Sequence, residues 1–190
     1  MLIKQRIELH SSLKRICHAS DCLLKMVAFF AFLRCQHDLR HSACMIDIQY
    51  PEKKPSIRKE GEQDKIFCPA RNRWVSLTPE EWVRQNLLLY LTDVLQYPLS
   101  LIAVEKQVKV GELNRRFDVL VYDRNSRPFL VLECKEMTID LTADVLDQVL
   151  RYNIPIRAPY IFISNGRQCL GFRLMLNEMQ ALTGFPAFPA

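Results

Sequence analysis

The sequence predicts a mixed α/β domain, a sheet of mixed strand direction with helices on its faces. Three observations carry this. Short apolar runs of strand character lie at 101–110, 116–123 and 129–135, two amphipathic helical segments flank them, and "PYIFIS" is a continuous apolar run of the kind a central strand shows. A hydrophobic content of 49% and a charged content of 25% are those of a globular protein, and 190 residues suffice for one domain with a real core.

Taken in order, "YPEKKPSIRKEGEQDK" (50–65) is polar with two Pro and reads as an extended or irregular lead-in. "IFCPARNRWVSLT" holds a short hairpin with Pro69 to Arg73 as its turn region. "TPEEWVRQNLLLYLTDVLQYP" has strong helix punctuation: Thr78 as N-cap, Pro79 at the first helical position, Glu80 and Glu81 in the first turn, and Pro98 as the stop. Trp82, Leu88, Leu89, Val94 and Leu95 give it one buried side. "LIAVEKQVKV" is a strand leading to a turn at Gly111, and strands near 116–123 and 129–135 form a hairpin around "RNSRP". "TADVLDQVLRYNI" is an amphipathic helix, Asn165-Gly166 turns the chain after "PYIFIS", and "CLGFRLML" is a last strand.

Composition breaks near Met45. Residues 1–44 carry seven basic and three acidic side chains, whereas 45–190 carry 19 against 18. All four His and four of the seven Cys lie in the first part, while Cys68, Cys134 and Cys169 are scattered, which is no disulfide framework and suits a reducing cytoplasm. The apolar stretch "CLLKMVAFFAFL" is too short to span a bilayer and is interrupted by Lys25, and no small-residue cleavage site follows it. Cys17, Cys22, His37 and His41 approach zinc-finger spacing, but an apolar run separates them. We read 1–44 as a poorly ordered extension or the product of translation starting upstream of Met45, and 45–190 as a single domain.

The chemistry lies in "RRFDVLVYDRNSRPFLVLECKE" (115–136), where Asp118, Glu133 and Lys135 interrupt strands that otherwise read as buried. A charge is costly to bury without a partner. With the turn centred between Asn125 and Ser126, opposing residue numbers total 251, so Asp123 faces Pro128 and Asp118 faces Glu133. Directly opposed side chains share a face with Cβ atoms about 5 Å apart. Two such carboxylates repel unless one takes a proton or a cation joins them. A Mg²⁺ ion removes the conflict, and Lys135 is then placed to hold a phosphate oxygen or the attacking water. That is the equipment of metal-assisted phosphodiester hydrolysis. The plainer alternative is a salt bridge of Lys135 with Glu133 or Asp118 at a sheet end.

Asp118, followed by Glu133-Cys134-Lys135, resembles the PD-(D/E)xK nuclease superfamily. More closely, residues 66–166 resemble the N-terminal nuclease domain of type I restriction enzyme R subunits, in particular a small stand-alone bacterial group carrying only that domain. The stretches that carry this are "TPEEWVRQNLLLYL", "LIAVEKQVKV", "RRFDVLVYDRN", "PFLVLECK", "DQVLRYN" and "PYIFISNG". The resemblance implies a restriction-endonuclease-like mixed β-sheet flanked by helices. It implies Asp118 and Glu133 as metal ligands and Lys135 as the catalytic lysine, although Phe117 stands where the motif has Pro. Gln148 and Tyr152 match the Q-x3-Y motif one helical turn apart, with a solvated Gln and a core Tyr as the alternative. Glu81 matches the superfamily's helical acidic residue, an indirect metal ligand, against a simple role in stabilising the helix dipole.

The expectation is therefore a Mg²⁺-dependent DNA endonuclease, with Mn²⁺ as a substitute and no nucleotide cofactor, restriction or defence related and cytoplasmic. No P-loop is present, so no translocase is expected within this sequence. DNA is the expected partner, with a separate motor or specificity subunit and a homodimer left open, and no membrane. The rivals are a catalytically weak nucleic-acid-binding module of the same fold and an interaction subunit working with such a separate chain. The core's balance of 19 basic to 18 acidic residues leaves room for the first, since DNA-gripping surfaces often carry more excess Lys and Arg.

Overall fold

The computed structural model of the chain describes residues 45–110, 113–175 and 178–189. The segment 1–44, with its cysteines and histidines, and the turn at Gly111 lie outside the described residues.

The lead-in is more ordered than its composition suggests. β1 (Ile57–Glu60), β2 (Gln63–Cys68) and β3 (Arg73–Ser76) form a three-stranded antiparallel sheet in that order. Glu60 pairs with Gln63 around Gly61, whose φ of 64° is a conformation that glycine adopts without strain. All four residues of β1 are exposed, so no alternation betrays the strand. The β2–β3 turn falls where expected, and Asn72 closes it in the left-handed region at φ 49°.

Helix α1 (Pro79–Leu89) begins as predicted: the Glu81 amide donates to Thr78 Oγ1 at 3.0 Å and Pro79 occupies the first turn. It continues as a π-helical turn over Tyr90–Val94. The wider turn carries Val94 off the buried side, and it is 45% exposed. The buried side of α1 holds Val83, Leu87, Leu88 and Leu91, but also Glu81, Arg84 and Gln85 in its first half. That polar half is what α1 brings to the site.

The main sheet has six strands, β4 (Ile102–Val110), β5 (Leu113–Tyr122), β6 (Pro128–Cys134), β7 (Tyr160–Ser164), β8 (Cys169–Met175) and β9 (Glu178–Leu182), ordered as in the chain. Only β6 and β7 are parallel, and α2 (Ala143–Asn153) makes the crossover between them. The fold is thus the expected mixed sheet with helices on its faces. β9 was not foreseen, because Met179 is its one buried residue. One core, with Val131, Leu146, Val149 and Ile161, lies against α2, and another, with Leu87, Leu130, Leu132 and Phe162, lies against α1. Among the described residues no helix is long and apolar enough to cross a membrane.

The β5–β6 hairpin reaches the expected register by an unexpected route. Val119 pairs with Leu132, Leu120 with Val131 and Val121 with Leu130, all totalling 251. At the turn, however, Tyr122, not Asp123, faces Pro128. Asp123 instead donates its amide to the Arg127 carbonyl at 2.8 Å, which leaves a three-residue loop centred on Asn125. Ser126 sits in the left-handed region at φ 59°, and the Asp123 carboxylate accepts from the amides of Asn125 and Arg127. A bulge at Phe129 then supplies one extra residue on β6, and the two shifts cancel.

Candidate active site

The β5–β6 ladder ends at Val119 and Leu132, and the same register carried one step further would set Asp118 opposite Glu133. There the strands stop exchanging backbone bonds, and the Cys134 amide donates to Asp118 Oδ2 at 2.7 Å. On its other side β5 is also irregular. Glu105 of β4 has φ 51°, and its pairing with Asp118 is skipped between Val104–Val119 and Lys106–Phe117. Strict alternation of faces therefore fails here: Phe117 and Leu120 both pack toward α2, while Val119 and Val121 pack toward α1. The kink frees the Asp118 carboxylate to meet α1, where Arg84 Nη2 donates to Oδ1 at 2.7 Å.

Glu133 is 7% exposed, and Lys135 Nζ donates to its Oε1 at 2.8 Å. Burial first, and then the Asp118 charge, push the Glu133 carboxyl up to about 7, against the pull of Lys135. For Lys135, burial disfavours the charged form, but the hydrogen bond and charge of Glu133 prevail and its pKa is raised. The sequence therefore identified three residues that the fold brings together.

Glu81 lies at the start of α1, buried, with Arg71 and Arg84 paired to it and Gln85 Nε2 donating at 2.7 Å. Arg84 links it to Asp118. Gln148 and Tyr152 share one face of α2, with Gln148 Nε2 donating to the Tyr152 hydroxyl at 3.0 Å. The Tyr152 ring meets Phe117 edge-on at 6.2 Å on the α2 side of β5, whereas the Asp118 carboxylate meets Arg84 of α1.

Sequence reasoning missed Arg84, Arg71 and Glu105. Arg84 Nη1 pairs with Glu81, its Nη2 reaches Glu80 at 2.8 Å as well as Asp118, and Glu105 lies at 4.0 Å. Arg71, from the β2–β3 turn, joins Glu81 to Glu105, and Arg116 reaches Glu105 at 3.3 Å. A signal existed for Arg84: it falls on the apolar stripe with Leu87, Leu88 and Leu91, where a charge needs a reason.

Five carboxylates, Glu80, Glu81, Glu105, Asp118 and Glu133, face four cations, Arg71, Arg84, Arg116 and Lys135. Of these, Glu133 has its proton affinity raised, by burial first and then by the Asp118 charge, in spite of its pairing with Lys135. Asp118 and Glu133 thus offer hard oxygen donors that suit a divalent ion such as Mg²⁺. Mg²⁺ ordinarily takes one or two carboxylates and completes its shell with water and phosphate oxygens. Among the described residues no group of three His, Cys, Asp or Glu side chains is arranged to hold a metal ion.

The family described as Type I restriction enzyme R protein N terminus (HSDR_N) matches residues 79–189, more than half of the chain. A similar solved structure is a fragment assigned to an HsdR subunit of a type I restriction enzyme from Vibrio vulnificus YJ016. It shares 18% identity at a TM-score of 0.44, covering 58% of this chain and 24% of that one. The chain thus spans about a quarter of the length of that solved chain. No curated protein matches.

Proposed function

Since the chain belongs to the type I restriction enzyme R protein N-terminus family, we propose that it is a metal-dependent DNA endonuclease of a restriction or defence system, supplying the cleavage step. The observation that carries this is Glu133, a buried carboxylate hydrogen-bonded by Lys135, whose proton affinity burial and the Asp118 charge raise together. Asp118 and Glu133 would hold the Mg²⁺, which when bound supplies Lewis acidity and an activated water. Asp118 is kept in place for this by the Cys134 amide and Arg84. Lys135, once Glu133 is otherwise compensated, is free to bind a non-bridging phosphate oxygen or orient the attacking water. Gln148 and Tyr152, exposed and half-buried on α2, extend the site toward the DNA backbone with a donor and a hydroxyl.

A second reading has its own observation. Asp118 already has Arg84 and Glu133 already has Lys135, so the cluster also works as a set of ion pairs. On that reading the domain binds nucleic acid or a motor or specificity chain with little catalysis. Nicking of supercoiled plasmid in Mg²⁺ or Mn²⁺ by the wild type and by Lys135→Ala distinguishes the two. Endonuclease function requires nicking by the wild type that chelator abolishes and that falls at least a hundredfold in the variant, the scale of one lost charge-stabilising group. Absence of metal-dependent nicking by the wild type favours the binding module.

A further inference from the structure

We propose that Arg84 is a positioning residue for metal binding: through its fork it fixes the orientation of the Asp118 carboxylate, and Glu81 and Glu105 hold the fork. The inference rests on the reading of Asp118 as a metal ligand and adds a residue to that site. Its basis is geometric. The side chain of Arg84 is 3% exposed, and Nη2 lies 2.7 Å from Asp118 Oδ1 while the Cys134 amide holds Oδ2. The two donors grip the two oxygens of one carboxylate from α1 and from β6. Each oxygen keeps further acceptor capacity, so a cation can share a carboxylate whose plane is already set.

What holds Arg84 is a helix cap and one irregularity of the fold. Thr78 caps α1 on the Glu81 amide, which anchors the turn carrying Glu81 next to Arg84. Glu105 occupies the left-handed region, which a residue with a Cβ adopts only under strain, and its carboxylate lies between Arg71, Arg84 and Arg116. The network is poorly suited to stability alone. Arg71 Nε, Arg84 Nε and Gln85 Oε1 are buried with no hydrogen-bond partner among the described residues, and a partly satisfied buried network destabilises relative to an apolar one. The strained backbone and unpaired polar atoms converge on one guanidinium, and that guanidinium ends on Asp118.

The test is Mg²⁺ affinity of the full chain by calorimetry, with melting temperature measured beside it. Arg84→Lys keeps the charge and loses the fork. The pair Glu81→Gln with Arg84→Gln removes one charge of each sign, and it serves if Arg84→Lys does not fold. Arg71→Gln disturbs the same network without touching Asp118. Both Arg84 changes are expected to weaken Mg²⁺ binding by about 10–100-fold, the usual scale for an outer partner of a metal ligand. Arg71→Gln should lower the melting temperature yet leave Mg²⁺ affinity within about threefold, as for a change that acts through the fold alone. Nicking by Arg84→Lys should return as Mg²⁺ is raised. Wild-type Mg²⁺ affinity in either folded Arg84 variant, or an equal loss in Arg71→Gln, overturns the assignment while leaving the nuclease reading intact. A wild type that neither binds Mg²⁺ nor nicks DNA overturns both.

Discussion

At Glu133, burial and the neighbouring Asp118 hold the carboxyl up to about 7, well above the usual carboxylate range. An acid whose proton is held more tightly in the folded chain loses stability as pH rises. Below about 4.5 the group is protonated folded or unfolded, and between there and 7 only the folded chain keeps its proton. The metal-free protein is therefore expected to lose up to about 3 kcal/mol from this group between pH 4.5 and 8. Urea unfolding at the two pH values should show that slope, and Glu133→Gln should flatten it while making the metal-free protein firmer at pH 8. Mg²⁺ affinity should rise over the same interval, because the ion competes with the proton for Glu133. At this scale Asp118, Glu133 and Lys135 were legible because charge stands out inside an apolar strand. Arg84 was passed over despite its place on the apolar stripe, since beside Glu80 and Glu81 it passes for an ordinary helix ion pair.

The helix α1 and the hairpin β5–β6 are the elements that set the site, and each has a local feature to probe. Loss of the Thr78 cap in Thr78→Ala should cost about 1 kcal/mol, read as a lowered melting temperature. Ser126→Gly should do the reverse by about 0.5–1 kcal/mol, because Ser126 holds φ 59° in the turn. The hairpin also shows how register was legible when its cause was not. Alternation of Val119, Val121, Leu130 and Leu132 specifies which residues face the core, and this fixes the pairing more firmly than the turn does. The turn chemistry was misjudged by one residue, and the bulge at Phe129 absorbed the error. β1 and β9 were illegible for a common reason: almost wholly exposed strands carry no hydrophobic period.

In the whole molecule, both sheets and helix α1 meet around one charged cluster, with Arg71 tying the small sheet to α1 and β4. The composition break at Met45 leads to the expectation that residues 1–44 add little to this body. A chain beginning at Met45 should melt within a few degrees of the full one, and a larger loss would assign them a structural part. The central claim is that Asp118, Glu133 and Lys135 form a metal-dependent hydrolytic site. Its most direct test is Mg²⁺-induced stabilisation, measured by thermal melting beside plasmid nicking for the wild type, Glu133→Gln and Lys135→Ala. The account predicts that the wild type is stabilised by Mg²⁺ and nicks. Glu133→Gln should lose both properties, and Lys135→Ala should keep the stabilisation but not the nicking, because lysine is not a ligand. A wild type indifferent to Mg²⁺, with all three proteins nicking alike or none nicking, would contradict it.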